Sequence, residues 1–204
     1  LDDGDSKIFE SMFASLFRKH PYGTQTTIGT IEHLKNPSLT EIKKYFHTYY
    51  VPNNMAVIMS GDIDPDQTIQ LIDRYMGGLP PGKVPTFTFE TESFDRPVDE
   101  ITVVTPDEER VAIGFHMPND LDPKSALAGL AFSVLNNGKS GLIDRDLVKS
   151  QKVLEAAGFT YLLKDYGMAY IEAKPLKGQS LTQLKDLLIG EVEKLKKGDF
   201  DADL

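Results

Sequence analysis

Four histidines, His20, His33, His47 and His116, are the side chains here best suited to hold a metal or move a proton near neutral pH. A hydrolytic zinc site on one helix needs two histidines a turn apart with a glutamate alongside, as H-E-x-x-H or H-x-x-E-H. Neither order occurs, and His33 and His47 are too far apart to share a turn. All four are expected to be surface or capping side chains, so no metal and no cofactor is expected in this chain. Asp62, Asp64 and Asp66 resemble the start of a calcium loop, but Gln67 and Asp73 stand where that loop needs Gly and Glu. They read instead as a helix N-terminus with favourable negative charge. Gly138-Lys139-Ser140 resembles the end of a phosphate loop, yet Ser133 replaces the required earlier glycine and a helix precedes it. No G-x-S-x-G nucleophile elbow is present.

The elements that would carry such residues are marked by their own boundary chemistry. Ser6 to Lys19 places Ile8, Phe9, Met12, Phe13, Leu16 and Phe17 on one wide helical stripe, broken by His20-Pro21-Tyr22-Gly23. Ile31 to Lys35 allows one helical turn. Ser38 and Glu41 form a capping-box pattern ahead of a helix with Ile42, Tyr45, Phe46 and Tyr49 on one face. Val51-Pro52-Asn53-Asn54 stops it. Met55 to Ser60 predicts a short buried strand. Asp64-Pro65 starts a helix with Ile69, Ile72 and Tyr75 or Met76 inward, ended by Gly77-Gly78.

From Leu79 to Pro97 the composition shifts to Pro80, Pro81, Pro85 and Pro97, with alternating Phe87 and Phe89, predicting an edge strand or crossing segment. Residues 100–104 and 110–117 predict strands. A helix is expected from Asp122-Pro123 to Leu135, then a turn at Asn136 to Gly141 and a second helix over Leu142 to Gln151. Leu154 to Leu163 and Met168 to Pro175 predict a strand pair. Ser180 and Gln183 form another capping box, opening a last helix with Leu184, Leu187, Leu188, Val192 and Leu195 inward and Gly198 at its end. Neighbouring strands and grouped helices predict an α+β fold, a two-layer antiparallel or mixed sheet packed against helices.

The chain has 204 residues, 40% of them apolar, enough for one large domain or two small ones. A net charge of -9 argues against nucleic acid and anionic membrane as partners. No cysteine is present, which excludes disulfides and thiolate metal sites. No apolar run approaches the roughly 18 residues a membrane helix needs, so no membrane insertion is expected. An acidic chain without cysteine fits a bacterial periplasm and a cytosol equally. The sequence starts at Leu1, and 199–204 read as the opening of a further helix, so a piece of a longer protein is expected.

An ordered series of segments resembles the insulinase-like (pitrilysin) zinc metallopeptidases, which include the mitochondrial processing peptidases. It comprises His20-Pro21-Tyr22-Gly23, Ile28-Gly29, Leu39-Thr40-Glu41-Ile42-Lys43-Lys44-Tyr45-Phe46, Tyr50-Val51-Pro52-Asn53-Asn54-Met55-Ala56-Val57 and Ser60-Gly61-Asp62-Ile63. Residues 110–197 are similar to the next repeat of that family, with Asn136-Asn137-Gly138-Lys139-Ser140-Gly141-Leu142 as its turn. The resemblance implies related α+β units that pair to enclose a peptide substrate. It implies that residues 1–79 are the C-terminal part of a catalytic-type domain, 80–99 a linker, and 100–204 most of a non-catalytic domain. The zinc ligands would then lie in the parent protein's N-terminal part, and no catalytic residue carries over to this chain. A glycine-rich loop handles substrate in one relative, which makes Asn137, Gly138, Lys139, Ser140 and Gly141 the candidate substrate-binding residues. Expected partners are a peptide or unfolded polypeptide and either the rest of the parent chain or a sister subunit. A non-enzymatic structural or interaction subunit of the same fold is the alternative, and H-x-x-E-H upstream of Leu1 would separate the two.

Overall fold

The structure, a computed structural model, describes residues 3–25, 28–93 and 98–201. Its helices are α1 (Gly4–Leu16), α2 (Pro21–Thr24), α3 (Ile31–Lys35), α4 (Leu39–Tyr49), α5 (Pro65–Met76), α6 (Lys124–Leu135) and α7 (Leu181–Lys197). Its strands are β1 (Val111–Met117), β2 (Glu155–Leu162) and β3 (Gly167–Lys174). Packing divides the chain into two compact units, one of residues 1–24 with 91–204 and one of residues 25–90. Residues 3–24 thus group with the strands rather than with residues 25–79, because the α1 stripe is used on the sheet.

In the larger unit the sheet runs β1-β3-β2, all antiparallel. Period-two alternation sends its residues to two faces. On one face Ile171, Ala173, Val111, Ile113 and Phe115 meet Leu135, Leu142, Ile143, Leu147, Leu184 and Leu188. This is the expected α+β packing, with α6 and α7 as the helical layer. On the other face Phe13 and Phe17 of the α1 segment meet Met168 and Tyr170. Gly114 lets α1 approach, since a Cβ there would sit 2.4 Å from Met12 Sδ and 3.3 Å from Leu16 Cδ1. At the edge of this face Arg110 pairs with Asp5 at 2.6 Å and Glu172 at 3.5 Å, and Tyr170 Oη donates to Glu172 at 2.7 Å. Burial and the Glu172 carboxylate both raise the Tyr170 phenol well above its ordinary value.

The capping signals are realised at α5 and α7, whereas the Ser38–Glu41 box at α4 is half made, with Glu41 turned to Lys44 instead of the Ser38 N–H. Ser180 and Gln183 make the reciprocal box, and Gly198 closes α7 in the left-handed region at φ 68. Between Asp144 and Lys149 the expected second helix is wound as a π-helix. The strand expected at 100–104 is absent, with Ile101 and Val104 55% and 85% exposed. The helix expected to begin at 199–204 is not formed at 199–201, and 202–204 lie outside the described residues.

In the smaller unit Asp64 Oδ1 caps α5 at Gln67 N (3.0 Å), and Ser38 Oγ caps α4 at Glu41 N (3.3 Å). The Pro52-Asn53-Asn54 stop has a specific use. Asn54 donates to Tyr49 O at 2.9 Å, satisfying a terminal carbonyl of α4. Asn53 clasps Gly82 from both sides, donating to its carbonyl at 2.9 Å and accepting its N–H at 2.8 Å. The buried strand expected at Met55–Ser60 is not formed, and Ile58 is 91% exposed. An apolar β-branched run signals a need for burial, but a strand exists only with a partner ladder. No described residue of this unit supplies one. For the same reason the inner faces of α4 and α5, including Ile42, Phe46 and Ile69, lie open. Phe87 and Phe89 pack on each other at 5.6 Å without a strand ladder, and residues 94–97 of that segment lie outside the described residues.

Candidate functional site

Helix α6 is apolar on all sides, a pattern that suits a helix covered on more than one face. Its inner side is seated on the sheet through Phe132 and Leu135. Gly158 makes that seat, because a Cβ there would lie 2.8 Å from Phe132 Cζ. The start of the helix is fixed by Asp122 Oδ1, which accepts Lys124 N–H at 2.8 Å, and by Ser125 Oγ donating to Asn119 O. The outer side carries Ala126, Leu127, Leu130 and Ser133, with Leu127 and Leu130 68% and 65% exposed. This stripe runs directly into the Asn137–Gly141 loop.

The loop is built around Asp144, which is 7% exposed. One carboxylate oxygen accepts the N–H groups of Asn137 at 3.0 Å and Gly141 at 3.1 Å. The other accepts the Asn136 amide at 2.9 Å. Asn137 Oδ1 in turn accepts the N–H groups of Lys139 and Ser140, both at 2.9 Å. Gly138 takes a left-handed φ of 76 at the bend. Gly141 is buried, since a Cβ there would lie 2.8 Å from Leu135 O and from Asn136 Cα.

The five candidate residues therefore stand together but divide by role. Asn137 is spent on shaping the bend, Gly141 on packing it, and Lys139 and Ser140 point outward from an exposed tip. Asp144, which organises them, was not singled out by sequence. Its signal was its place just beyond a glycine turn that needs an acceptor for its N–H groups.

Strand β2 pairs with β3 alone among the described residues, so its outer edge carries backbone groups outside any ladder. Its residues alternate, with Glu155, Ala157, Phe159 and Tyr161 exposed. Phe159 stacks on Tyr170 at 4.9 Å and Phe9 meets Tyr161 edge-on at 5.7 Å, yet both strand aromatics keep more than two fifths of their surface.

The histidines correct one expectation. His47 is exposed, and His33 caps α3 through the Thr30 box, accepting Thr30 N–H at Nδ1 (3.4 Å). His20, expected at the surface, is fully buried, and His116 is partly buried. The aromatic neighbours Phe17, Tyr22 and Tyr166 enclose them. His20 Nδ1 accepts Tyr22 N–H at 3.1 Å, and Glu92 Oε1 accepts His20 N–H at 2.8 Å. Burial pushes both imidazoles below the ordinary value; Asp165 and Glu92 pull His20 the other way, and Glu92 does so for His116. On His20 and His33 the Nδ1 atoms accept the backbone N–H groups of Tyr22 and Thr30. Among the described residues no three histidine, aspartate or glutamate side chains stand together to hold a metal ion.

Residues 37–204 match the family model described as the peptidase M16 inactive domain. The chain belongs to this family. A zinc protease of Helicobacter pylori, PqqE, is 25% identical over 200 residues, covering 95% of this chain and 44% of that protein. The crystal structure of a protease from Helicobacter pylori shares the fold with a TM-score of 0.74 at 23% identity, over 99% of this chain and 50% of that one. A chain of complex III2 from Candida albicans shares it with a TM-score of 0.71 at 17% identity, over 94% of this chain and 47% of that one. The chain thus spans half or less of the length of these relatives. The zinc named for the relative finds no set of three ligands among the residues described here.

Proposed function

We propose that this chain is the non-catalytic portion of a zinc-dependent metalloendopeptidase and forms part of the wall that holds an extended peptide. The observation that carries this reading is the match of 37–204 to the inactive-domain family. In this proposal residues 1–79 are the tail of a catalytic-type domain, 80–99 connect, and 100–204 are most of the non-catalytic domain. Zinc sits in the parent protein's upstream part. The grip comes from the outer stripe of α6, Leu127 and Leu130, with Asn137, Gly138, Lys139, Ser140 and Gly141 at its end. The outer edge of β2 is a second place for an extended chain to add by backbone hydrogen bonds. Partners are a peptide or unfolded polypeptide and the remaining domains of the parent or a sister subunit.

The test is cleavage of an unfolded polypeptide by the intact protein and by the isolated chain. Zinc-dependent cleavage by the intact protein alone supports the proposal; cleavage by residues 1–204 alone refutes it. The similarity to a chain of complex III2 favours a second reading, a structural subunit without catalysis. Absence of H-x-x-E-H from the parent sequence upstream of Leu1 would select that second reading.

A further inference from the structure

The chain passes between its two compact units twice, at Thr24–Gln25 and at Glu90–Thr91. Both passages are anchored in the larger unit at one buried cluster. His20 lies just before the first crossing and Glu92 just after the second, and they are 0% and 8% exposed. Glu92 Oε1 accepts the N–H groups of His20, at 2.8 Å, and of Lys19. Glu92 N–H donates to Tyr166 Oη at 3.0 Å. Tyr22 Oη and Asp165 are joined twice, through the Asp165 carboxylate at 3.4 Å and its N–H at 3.3 Å. The turn between β2 and β3 is thereby tied to both crossing segments.

We propose that His20 is an acid-sensitive latch, whose protonation releases the two segments on which the chain passes between its compact units. The geometry supplies the reason. His20 Nδ1 accepts Tyr22 N–H at 3.1 Å, so the neutral ring carries its proton on Nε2, which faces Asp165 Oδ2 at 3.5 Å. A second proton must go to Nδ1, where it would point at another donor. That loses the Tyr22 bond to the ring and leaves Pro21–Thr24 tied to His20 through its carbonyl, which accepts from Gly23 and Thr24.

Among the described residues, those facing the ring include Glu92 from the returning segment, Asp165 and Tyr166 from the turn, and Tyr22 from α2. His116 of β1 lies beyond Tyr166, their rings 5.4 Å apart. The two carboxylates attract an imidazolium, while the partner of Nδ1 is the Tyr22 N–H, a donor. Glu92 Oε1 is taken by backbone donors, and Asp165 meets the nitrogen that already holds a proton. Burial agrees in direction, keeping His20 below its ordinary value against both carboxylates. A group held neutral in the closed state stabilises it fully above the ordinary histidine value and loses that stabilisation as pH falls below it.

The experiment is hydrogen exchange of the His20, Tyr22 and Glu92 amides in the intact protein at pH 7.5 and 5.5, corrected for intrinsic rates. With an open-state midpoint near 6.5, protection is expected to fall at the lower pH by up to about ten-fold for one histidine, the full factor requiring a ring that stays neutral in the closed state. His20→Asn keeps an acceptor near the Nδ1 position and cannot titrate. It is expected to remove that fall while leaving any contribution of His116. Equal protection at the two pH values, or an unchanged pH effect in His20→Asn, would overturn the proposal. The unmodified protein gives a second check through NMR titration of the His20 ring. A midpoint below 6.5 is expected, and a midpoint above it would overturn the latch without any variant having to fold.

Discussion

Replacing Asp144 by alanine is the sharpest perturbation of the candidate loop. Its carboxylate accepts three hydrogen bonds, two from backbone N–H groups and one from the Asn136 amide, at 2.9 to 3.1 Å. Asn136 and Gly141 are buried, so water does not readily replace the lost acceptor. A hydrogen bond to a charged group contributes about 1.5–3 kcal/mol, and an orphaned buried donor costs about 1–3 kcal/mol. These overlap rather than add, which gives an expected loss of ~3–5 kcal/mol for Asp144→Ala. Urea unfolding followed by circular dichroism measures it, and faster exchange of the Gly141 amide localises it to the loop. Asp144→Asn keeps one carbonyl acceptor and should lose less. A loss below ~1 kcal/mol for Asp144→Ala, with Gly141 still protected, would show that the carboxylate does not organise the loop.

Two further substitutions probe the packing and charge that hold the site in place. Gly114→Ala puts a Cβ 2.4 Å from Met12 Sδ and should destabilise by ~1–3 kcal/mol through overpacking. Met12→Ala in the same chain should relieve part of it, read as a double-mutant cycle. Asp146 is held at about 2 by hydrogen bonds from Arg145 and Lys194, both at 2.7 Å, against an ordinary value of 3.8. That stabilisation, ~2 kcal/mol, is present above 3.8 and is lost as pH falls through about 2. Arg145→Ala should move the Asp146 carboxyl titration upward by NMR and shrink the acid-dependent part of stability.

Legibility in the sequence followed the range of the signal. Elements defined by local chemistry were readable: α5 from Asp64-Pro65, α7 from Ser180, Gln183 and Gly198, and the β2–β3 pair. Met55–Ser60 and residues 100–104 were not, because apolar alternation states what a segment would bury and not whether a neighbouring strand exists to pair with it. His20 looked like a turn residue because its burial depends on Tyr166 and Glu92, far along the chain. Gly114 and Gly158 carry no local turn signal; their role is the close approach of α1 and of Phe132. In the candidate loop the turn over Asn136 to Gly141 was legible from its residue types. The division of its residues into shaping and exposed members rests on Asp144, whose bonds run back across the turn.

The grip assigned to the outer stripe of α6 is tested most directly by the affinity of the intact protein for a fluorescent unfolded polypeptide, measured by anisotropy. Leu127 and Leu130 are exposed, so Leu127→Ser with Leu130→Ser should change stability by only about 0.5 kcal/mol each. Loss of ~1.4 kcal/mol of apolar contact corresponds to about ten-fold weaker binding, and that weakening is the expected result. Unchanged affinity in the folded double variant would contradict the assignment.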